Sequence, residues 1–79
     1  MNATAARLRE LRRSMKMTQH EVAVAIGVSD GAYAMYETAE RVPRDDVKSR
    51  ISELFHKPVG FIFYGESLTG GEYNETQSE

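Results

Sequence analysis

Apolar residues recur with the period of an α-helix from the beginning of the chain. They lie three to four residues apart, with basic residues between them, at Ala5, Leu8, Leu11 and Met15. This spacing places them on one helical face and predicts an amphipathic helix from about Thr4 to Ser14. Asn2 or Thr4 is the expected N-terminal cap. The arginines between the apolar positions are expected to form mainly a solvated face.

A second and a third short helix are predicted next, separated by a tight turn. Thr18 is a good N-cap and Glu21 completes a capping box, so the second helix begins there. Gly27 is expected to end it, because glycine adopts a left-handed conformation at the lowest cost. Ser29 then caps a third helix over about residues 30–38. The third helix is predicted to bury Ala32, Tyr33 and Tyr36.

Two prolines mark the beginnings of the last two predicted helices. Pro43 interrupts the chain and a fourth helix starts near Arg44. Pro58 suits the first turn of a short fifth helix that ends near Tyr64. This helix contains four consecutive apolar or aromatic residues: Phe61, Ile62, Phe63 and Tyr64. They cannot all face one core, and a remaining apolar patch usually marks an interface. They are therefore a candidate dimer or partner contact.

Composition limits the organisation of the chain. Its 79 residues provide for one domain, and the absence of cysteine excludes disulfides and thiolate metal sites. There is neither a long apolar run nor a secretory signal, so no membrane association is expected. Residues 1–65 hold all ten basic residues and eight of the twelve acidic ones, whereas residues 66–79 hold four acids and no base. We expect a mildly basic domain at 1–65 and an acidic, disordered tail at 66–79.

The close succession of helices two and three is the most informative feature. Two short helices joined by a tight turn cross steeply, and the second can enter a DNA major groove. The chain has a leading Leu-Arg-x-Leu-Arg helix, followed by the segments Thr18-Gln19-x-Glu21-Val22-Ala23-x-x-Ile26-Gly27-Val28-Ser29, Tyr33-x-x-Tyr36-Glu37 and Arg41-x-Pro43. In this order, these residues resemble the Cro and phage-repressor (XRE-like) type of helix-turn-helix.

This resemblance implies an all-α, five-helix bundle of the lambda-repressor-like DNA-binding type, with the motif at about residues 18–37. It also implies individual roles. Gln19 would contact a phosphate, Arg41 and Arg44 would approach the flanking DNA backbone, and Arg12 would pair with Glu37 to link helix one to the end of helix three. The remaining DNA-binding positions would be Ser29, Asp30, Gly31, Ala32, Ala34 and Met35.

Several residues depart from what a DNA reader needs. Arg, Lys, Asn and Gln read base edges best, and the exposed face of helix three has none of them. Asp30 repels phosphate unless it accepts a hydrogen bond from cytosine, and Glu40 stands where a phosphate contact is expected. Ala39 occupies a position where the family commonly has glycine, and a positive φ there would cost on the order of 1 kcal/mol. Helix three could therefore be specialised for binding protein.

The sequence gives little indication of a metal site, a cofactor or catalytic activity. His20 and His56 are distant in the sequence, so a metal site is not expected, and nothing indicates a cofactor or a small-molecule ligand. Ser29 and Asp30 could suggest a catalytic group with His20. Ser29 is explained by helix capping, however, and nothing activates it as a nucleophile. We therefore expect a protein that is not an enzyme.

The leading hypothesis is a sequence-specific, DNA-binding transcriptional regulator, Cro-like or repressor-like, from a phage, a prophage or a mobile element. It would bind double-stranded DNA, with a homodimer as a possible state, and would act by occluding an operator. Its expected location is the bacterial or phage-infected cytoplasm, in association with the nucleoid. The alternative is an antirepressor-type module that keeps the fold but masks a partner repressor protein. A third possibility is a DNA-binding subunit whose partner supplies most phosphate contacts.

Overall fold

Five α-helices form the part of the chain that the structure, a computed structural model, describes, which is residues 2–66. They are α1 (Ala3–Ser14), α2 (Gln19–Ile26), α3 (Asp30–Glu37), α4 (Asp45–Phe55) and α5 (Val59–Tyr64). These residues contain no strand, and the predicted all-α, five-helix bundle is confirmed. None of the described helices has the length and apolar character needed to cross a membrane. The predicted disordered tail lies outside the described residues apart from Glu66.

Side-chain caps set the beginnings of the first two helices. The Asn2 carboxamide oxygen accepts from the backbone N–H of Ala5 at 3.1 Å, so Asn2 rather than Thr4 caps α1. In α2 the Thr18 hydroxyl accepts from the N–H of Glu21 at 3.0 Å, and the Glu21 carboxylate accepts from the N–H of Thr18 at 2.9 Å. This reciprocal capping box is the one predicted from the sequence.

The turn between α2 and α3 is short because both of its ends are capped. Gly27 adopts a left-handed conformation with φ of 76° and ends α2. Only Val28 separates it from Ser29, whose hydroxyl accepts from the N–H of Ala32 at 3.1 Å and caps α3. The two helices therefore follow each other with almost no intervening loop, which is the local geometry of a helix-turn-helix corner.

The later helices differ slightly from their predicted bounds. α3 ends at Glu37 with Thr38 as its C-cap, one residue before the predicted end. α4 begins at Asp45 after Arg44, without a capping hydrogen bond from the Arg44 side chain. Pro58 has φ of −63° but ψ of 148°, so it is the N-cap of α5 and not part of its first turn.

The core lies where α1 packs on α3 and α5, α2 packs on α3 and α4, and α4 packs on α5. Tyr33 and Tyr36 are both buried, with ring centroids 6.1 Å apart at an interplanar angle of 87°. Edge-to-face packing of this kind is favourable for aromatic rings. Ala32, which the sequence predicts to be buried, is only partly buried against the core. The buried cluster comprises Leu8, Val22, Ala23, Ile26, Tyr33, Tyr36, Val47, Ile51, Phe55 and Ile62.

The arginines of α1 hold the bundle together. The expectation of a mainly solvated face is wrong for Arg7 and Arg9, whereas Arg12 pairs with Glu37 as the resemblance implied. Arg7 donates from Nε to the backbone oxygen of Phe61 at 3.0 Å, and its Cζ atom lies 5.5 Å from the centre of the Phe61 ring. Arg9 donates to the backbone oxygen of Glu37, and Arg12 binds the Glu37 side chain. These contacts tie α1 to α5 and to the end of α3.

Candidate nucleic-acid interface

A buried carboxylate joins the first three helices beneath the helix-turn-helix corner. Glu37 is 1% exposed, and its Oε2 and Oε1 atoms accept from Arg12 Nε at 2.7 Å and Nη2 at 3.1 Å. Glu37 Oε1 also accepts from Gln19 Nε2 at 3.1 Å. Arg12 Nη1 donates in addition to the backbone oxygen of Met17 at 3.0 Å. A buried ion pair adds little net stability over apolar packing, but it can fix the orientation of the helices that carry it.

The hydrogen bonds of this cluster decide its ionisation. Burial alone would raise the pKa of the Glu37 carboxyl, but hydrogen bonds from Arg12 and Gln19 outweigh burial and hold the pKa below its usual value. The same hydrogen bond to Glu37 raises the pKa of Arg12. Burial is the main reason that the pKa of Tyr33 is raised, and the neighbouring Glu37 carboxylate raises it further. Glu37 and Arg12 are therefore both charged at neutral pH.

Gln19 stands at the first position of α2 with its side chain held by Glu37. A carboxamide nitrogen carries two hydrogens, and the contact with Glu37 uses one of them. The residue as a whole is exposed, so the second hydrogen can be donated outward. The predicted phosphate contact thus starts from a side chain whose orientation is already fixed by the fold.

The outer face of α3 is small and partly apolar. Of the residues predicted to meet base edges, Asp30, Gly31 and Met35 are exposed, whereas Ala32 and Ala34 are only partly exposed. Ser29 is also exposed, but its hydroxyl is used to cap the helix. The face available to a partner is therefore narrower than the predicted set and is centred on the first two residues of α3 and on Met35.

Gly31 has no evident role inside the fold. A Cβ atom built on Gly31 would meet no other atom within 4 Å, and its φ lies outside the left-handed region. Glycine in a helix costs roughly 0.5–1 kcal/mol relative to alanine. Packing within the domain therefore does not explain the residue. Close approach of a partner to the α3 backbone is one function that glycine serves at such a position.

The segment after α3 presents both signs of charge. Arg41 and Arg44 are exposed, with the Arg44 side chain 83% exposed and 3.7 Å from the Asp46 carboxylate. Glu40 is exposed as well. Ala39 has φ of 67°, so alanine does occupy a left-handed conformation where the resembled family commonly has glycine.

A hydrogen bond between side chains of α2 and α3 was not predicted from the sequence. His20 Nδ1 lies 2.9 and 3.0 Å from the two carboxylate oxygens of Asp30, and the side chains are 68% and 65% exposed. Each residue lies in the first turn of its helix. The turn joins the end of α2 to the start of α3, so it is the packing of the short helix α2 against α3 that brings His20 to Asp30. Two polar residues, each in the first turn of its helix, were the only signal in the sequence.

The aromatic run of α5 divides between the core and the surface. Ile62 is fully buried, Phe61 and Phe63 are partly buried, and Tyr64 is 61% exposed. Lys48 Nζ lies 2.9 Å from the Tyr64 hydroxyl and 5.4 Å from the centre of the Phe63 ring. The part of the predicted interface that is open to a partner is therefore chiefly Tyr64 and the edges of the two phenylalanines.

Residues 2–66 contain no group of three or more metal-ligating side chains.

A family model for helix-turn-helix proteins matches residues 8–62. The chain therefore belongs to the helix-turn-helix family of the Cro and phage-repressor type, whose members are DNA-binding regulators. There is no significant match among curated proteins or among solved structures.

Proposed function

We propose that this protein is a sequence-specific transcriptional regulator that acts by operator occlusion. The observation that carries the proposal is the outer face of α3. It is exposed at Asp30, Gly31 and Met35, and Gly31 is a glycine that the fold does not require. Along the chain, α3 follows Gln19 at the start of α2 and precedes the exposed Arg41 and Arg44. This is the arrangement in which helix three enters a major groove while the preceding helix lies across the backbone.

Phosphate contacts position the protein in this proposal. Gln19 donates its free amide hydrogen to one phosphate, and Arg41 and Arg44 approach the flanking backbone. The buried cluster around Glu37 supports this function, because it holds Gln19 and α3 in one orientation before DNA arrives. A preorganised contact loses less conformational freedom on binding than a mobile one.

Two copies of the chain bind together on a two-fold site. The exposed Tyr64 and the edges of Phe61 and Phe63 form the contact between them, since no other residues cover these rings fully within the described domain. Each copy then places its α3 in one of two successive major grooves, about 34–36 Å apart. A bound dimer excludes polymerase from an overlapping promoter.

Selection from a pool of random duplexes tests the proposal. The purified protein should retain duplexes that converge on a two-fold symmetric site whose half-sites are one helical turn apart. Tyr64→Glu places a charge in the proposed dimer contact and should leave half-site recognition intact while abolishing the two-fold spacing. Failure to enrich any sequence at about 50 mM salt, where phosphate contacts are strong, would reject the proposal.

The second candidate is an antirepressor-type module, and the composition of the same face favours it. The exposed part of α3 has no Arg, Lys, Asn or Gln, Met35 is 39% exposed, and Val24 on α2 is 65% exposed. Methionine suits adaptable protein surfaces. In this case the protein would bind and mask the DNA-binding face of a partner repressor. It would release such a repressor from its operator in a competition assay and would itself retain no DNA.

A further inference from the structure

The hydrogen bond between His20 and Asp30 lies at the point where α2 and α3 would face DNA. His20 Nδ1 approaches both oxygens of the Asp30 carboxylate, at 2.9 and 3.0 Å. An ionised carboxylate only accepts hydrogen bonds, so Nδ1 carries the hydrogen and donates it. The other ring nitrogen, Nε2, has no partner within residues 2–66. The two side chains are more than 60% exposed, and the pair therefore lies on the surface rather than in the core.

The pair changes what Asp30 can do at a DNA surface. A lone carboxylate on this face would be repelled by the phosphates. The hydrogen bond from His20 Nδ1 occupies part of the carboxylate and holds it in one orientation. The oxygens still have unused lone pairs, since a carboxylate offers about four acceptor sites. Asp30 is therefore able to accept a further hydrogen bond.

The major groove offers such a carboxylate a restricted choice of base. Guanine presents only acceptors there and thymine presents an acceptor and a methyl group, so neither donates to Asp30. Adenine has a donor at N6, but its N7 acceptor lies beside that donor and repels a second carboxylate oxygen. Cytosine presents the N4 amino group, which is the partner that acidic side chains take in the major groove.

The neighbouring glycine gives a short side chain the reach that this contact requires. Asp30 has only one carbon between its backbone and its carboxyl group, so the α3 backbone has to come close to the base edge. Gly31 adds no side chain at the next position, and the space that a Cβ would fill there is empty.

We infer that His20 and Asp30 together read a cytosine in each half-site, with Asp30 accepting from the N4 amino group and His20 acting as its positioning residue. The inference rests on the proposed DNA-binding function and extends it to a particular base. It also gives α3 a base reader other than the Arg, Lys, Asn and Gln side chains that its exposed face lacks.

Binding-site selection with the intact chain and matched variants tests the inference. Wild type should prefer cytosine at one position of each half-site, by about fivefold or more over the other bases. Asp30→Asn should move that preference towards adenine, because a carboxamide pairs with N6 and N7 of adenine. Glu40→Gln is the matched control. It removes one exposed carboxylate beyond α3 and should strengthen binding to all duplexes alike, without changing the preferred base.

The contribution of His20 needs a readout other than affinity. His20→Ala should reduce the cytosine preference, and His20→Gln, which keeps a donor for the Asp30 carboxylate, should restore at least part of it. If wild type selects a two-fold site and Asp30→Asn keeps the same base preference, the inference is overturned. The proposed function would still stand. Enrichment of no sequence by wild type would overturn both.

Discussion

Gln19 Nε2 and Arg12 Nη2 both donate to the same oxygen of the buried Glu37 carboxylate, each at 3.1 Å. One side chain at the end of α3 thereby fixes the first residue of α2 and the last turn of α1. The proposed phosphate contact and the proposed recognition helix are thus held by one buried charge. Changes at Glu37 should affect both the stability of the domain and its binding to DNA.

Replacing Glu37 by glutamine keeps the shape of the side chain and removes its charge. The largely buried Arg12 guanidinium then loses its counter-charge, and two charge-assisted hydrogen bonds become weaker. We expect the free energy of unfolding at pH 7 to fall by about 1.5–3 kcal/mol in urea denaturation. Asp46→Asn removes the carboxylate of the exposed Arg50 pair and should cost less than about 1 kcal/mol. Equal losses in the two variants would contradict a special role for Glu37.

Protonation of the Glu37 carboxylate should lower the stability of the domain in acid. Its pKa in the folded protein lies below the ordinary value of 4.5, so it stabilises the fold fully above about pH 4.5. The stabilisation is lost as the pH falls from there through the folded-state pKa. The difference in unfolding free energy between wild type and Glu37→Gln should therefore be constant from pH 7 to about pH 5 and should shrink below about pH 4.5. A difference that stays unchanged at pH 3 would contradict the assigned ionisation.

Ala39 is strained by its left-handed backbone conformation. Its φ of 67° costs an L-residue roughly 1–2 kcal/mol, whereas glycine adopts it freely. Ala39→Gly also raises the conformational entropy of the unfolded chain, and this effect alone lowers the stability by about 0.4–1 kcal/mol. We expect a net increase in stability of about 0.5–1 kcal/mol, seen as a higher midpoint in thermal unfolding. Ala25→Gly, at the exposed next-to-last position of α2, should lower stability by up to about 1 kcal/mol. A change of the same sign in both variants would refute the strain at Ala39.

Replacing Gly31 by alanine should have opposite effects on the stability of the domain and on its affinity for DNA. Alanine fits the empty space at this position and should stabilise α3 by about 0.5 kcal/mol in chemical denaturation. If the α3 backbone approaches DNA as closely as proposed, the added methyl group should also weaken operator binding several-fold. A Gly31→Ala variant that gains stability and binds with unchanged affinity would show that α3 stays clear of the base edges.

Local signals in the sequence account for most of the fold. The capping box at Thr18, the glycine after α2 and the serine before α3 act within a few residues of themselves, so the helix bounds were predicted to within one or two residues. Pro58 was misplaced by one position, because proline fixes φ at values that both an N-cap and a first turn accept. Its ψ of 148° depends on the packing of α5 and is not visible in the sequence.

The polar contacts of the site were harder to predict than the helices. The arginines of α1 have the spacing of a solvated face, yet Arg7 and Arg9 reach backbone oxygens 54 and 28 residues away. Periodicity reports which residues share a face but not which distant carbonyl oxygens lie above it. The pairing of His20 with Asp30 likewise depends on how α2 packs against α3, which periodicity does not report.

The salt dependence of DNA binding tests the central claim most directly. Fluorescence anisotropy of the purified protein with a selected duplex, from about 50 to 200 mM salt, should show affinity falling steeply as phosphate contacts release counterions. Arg41→Ala should reduce the slope of log K against log salt by about one, and Arg50→Ala on α4 should leave the slope unchanged. Absence of binding across this range, or binding that salt does not weaken, would contradict the account and direct attention to a protein partner.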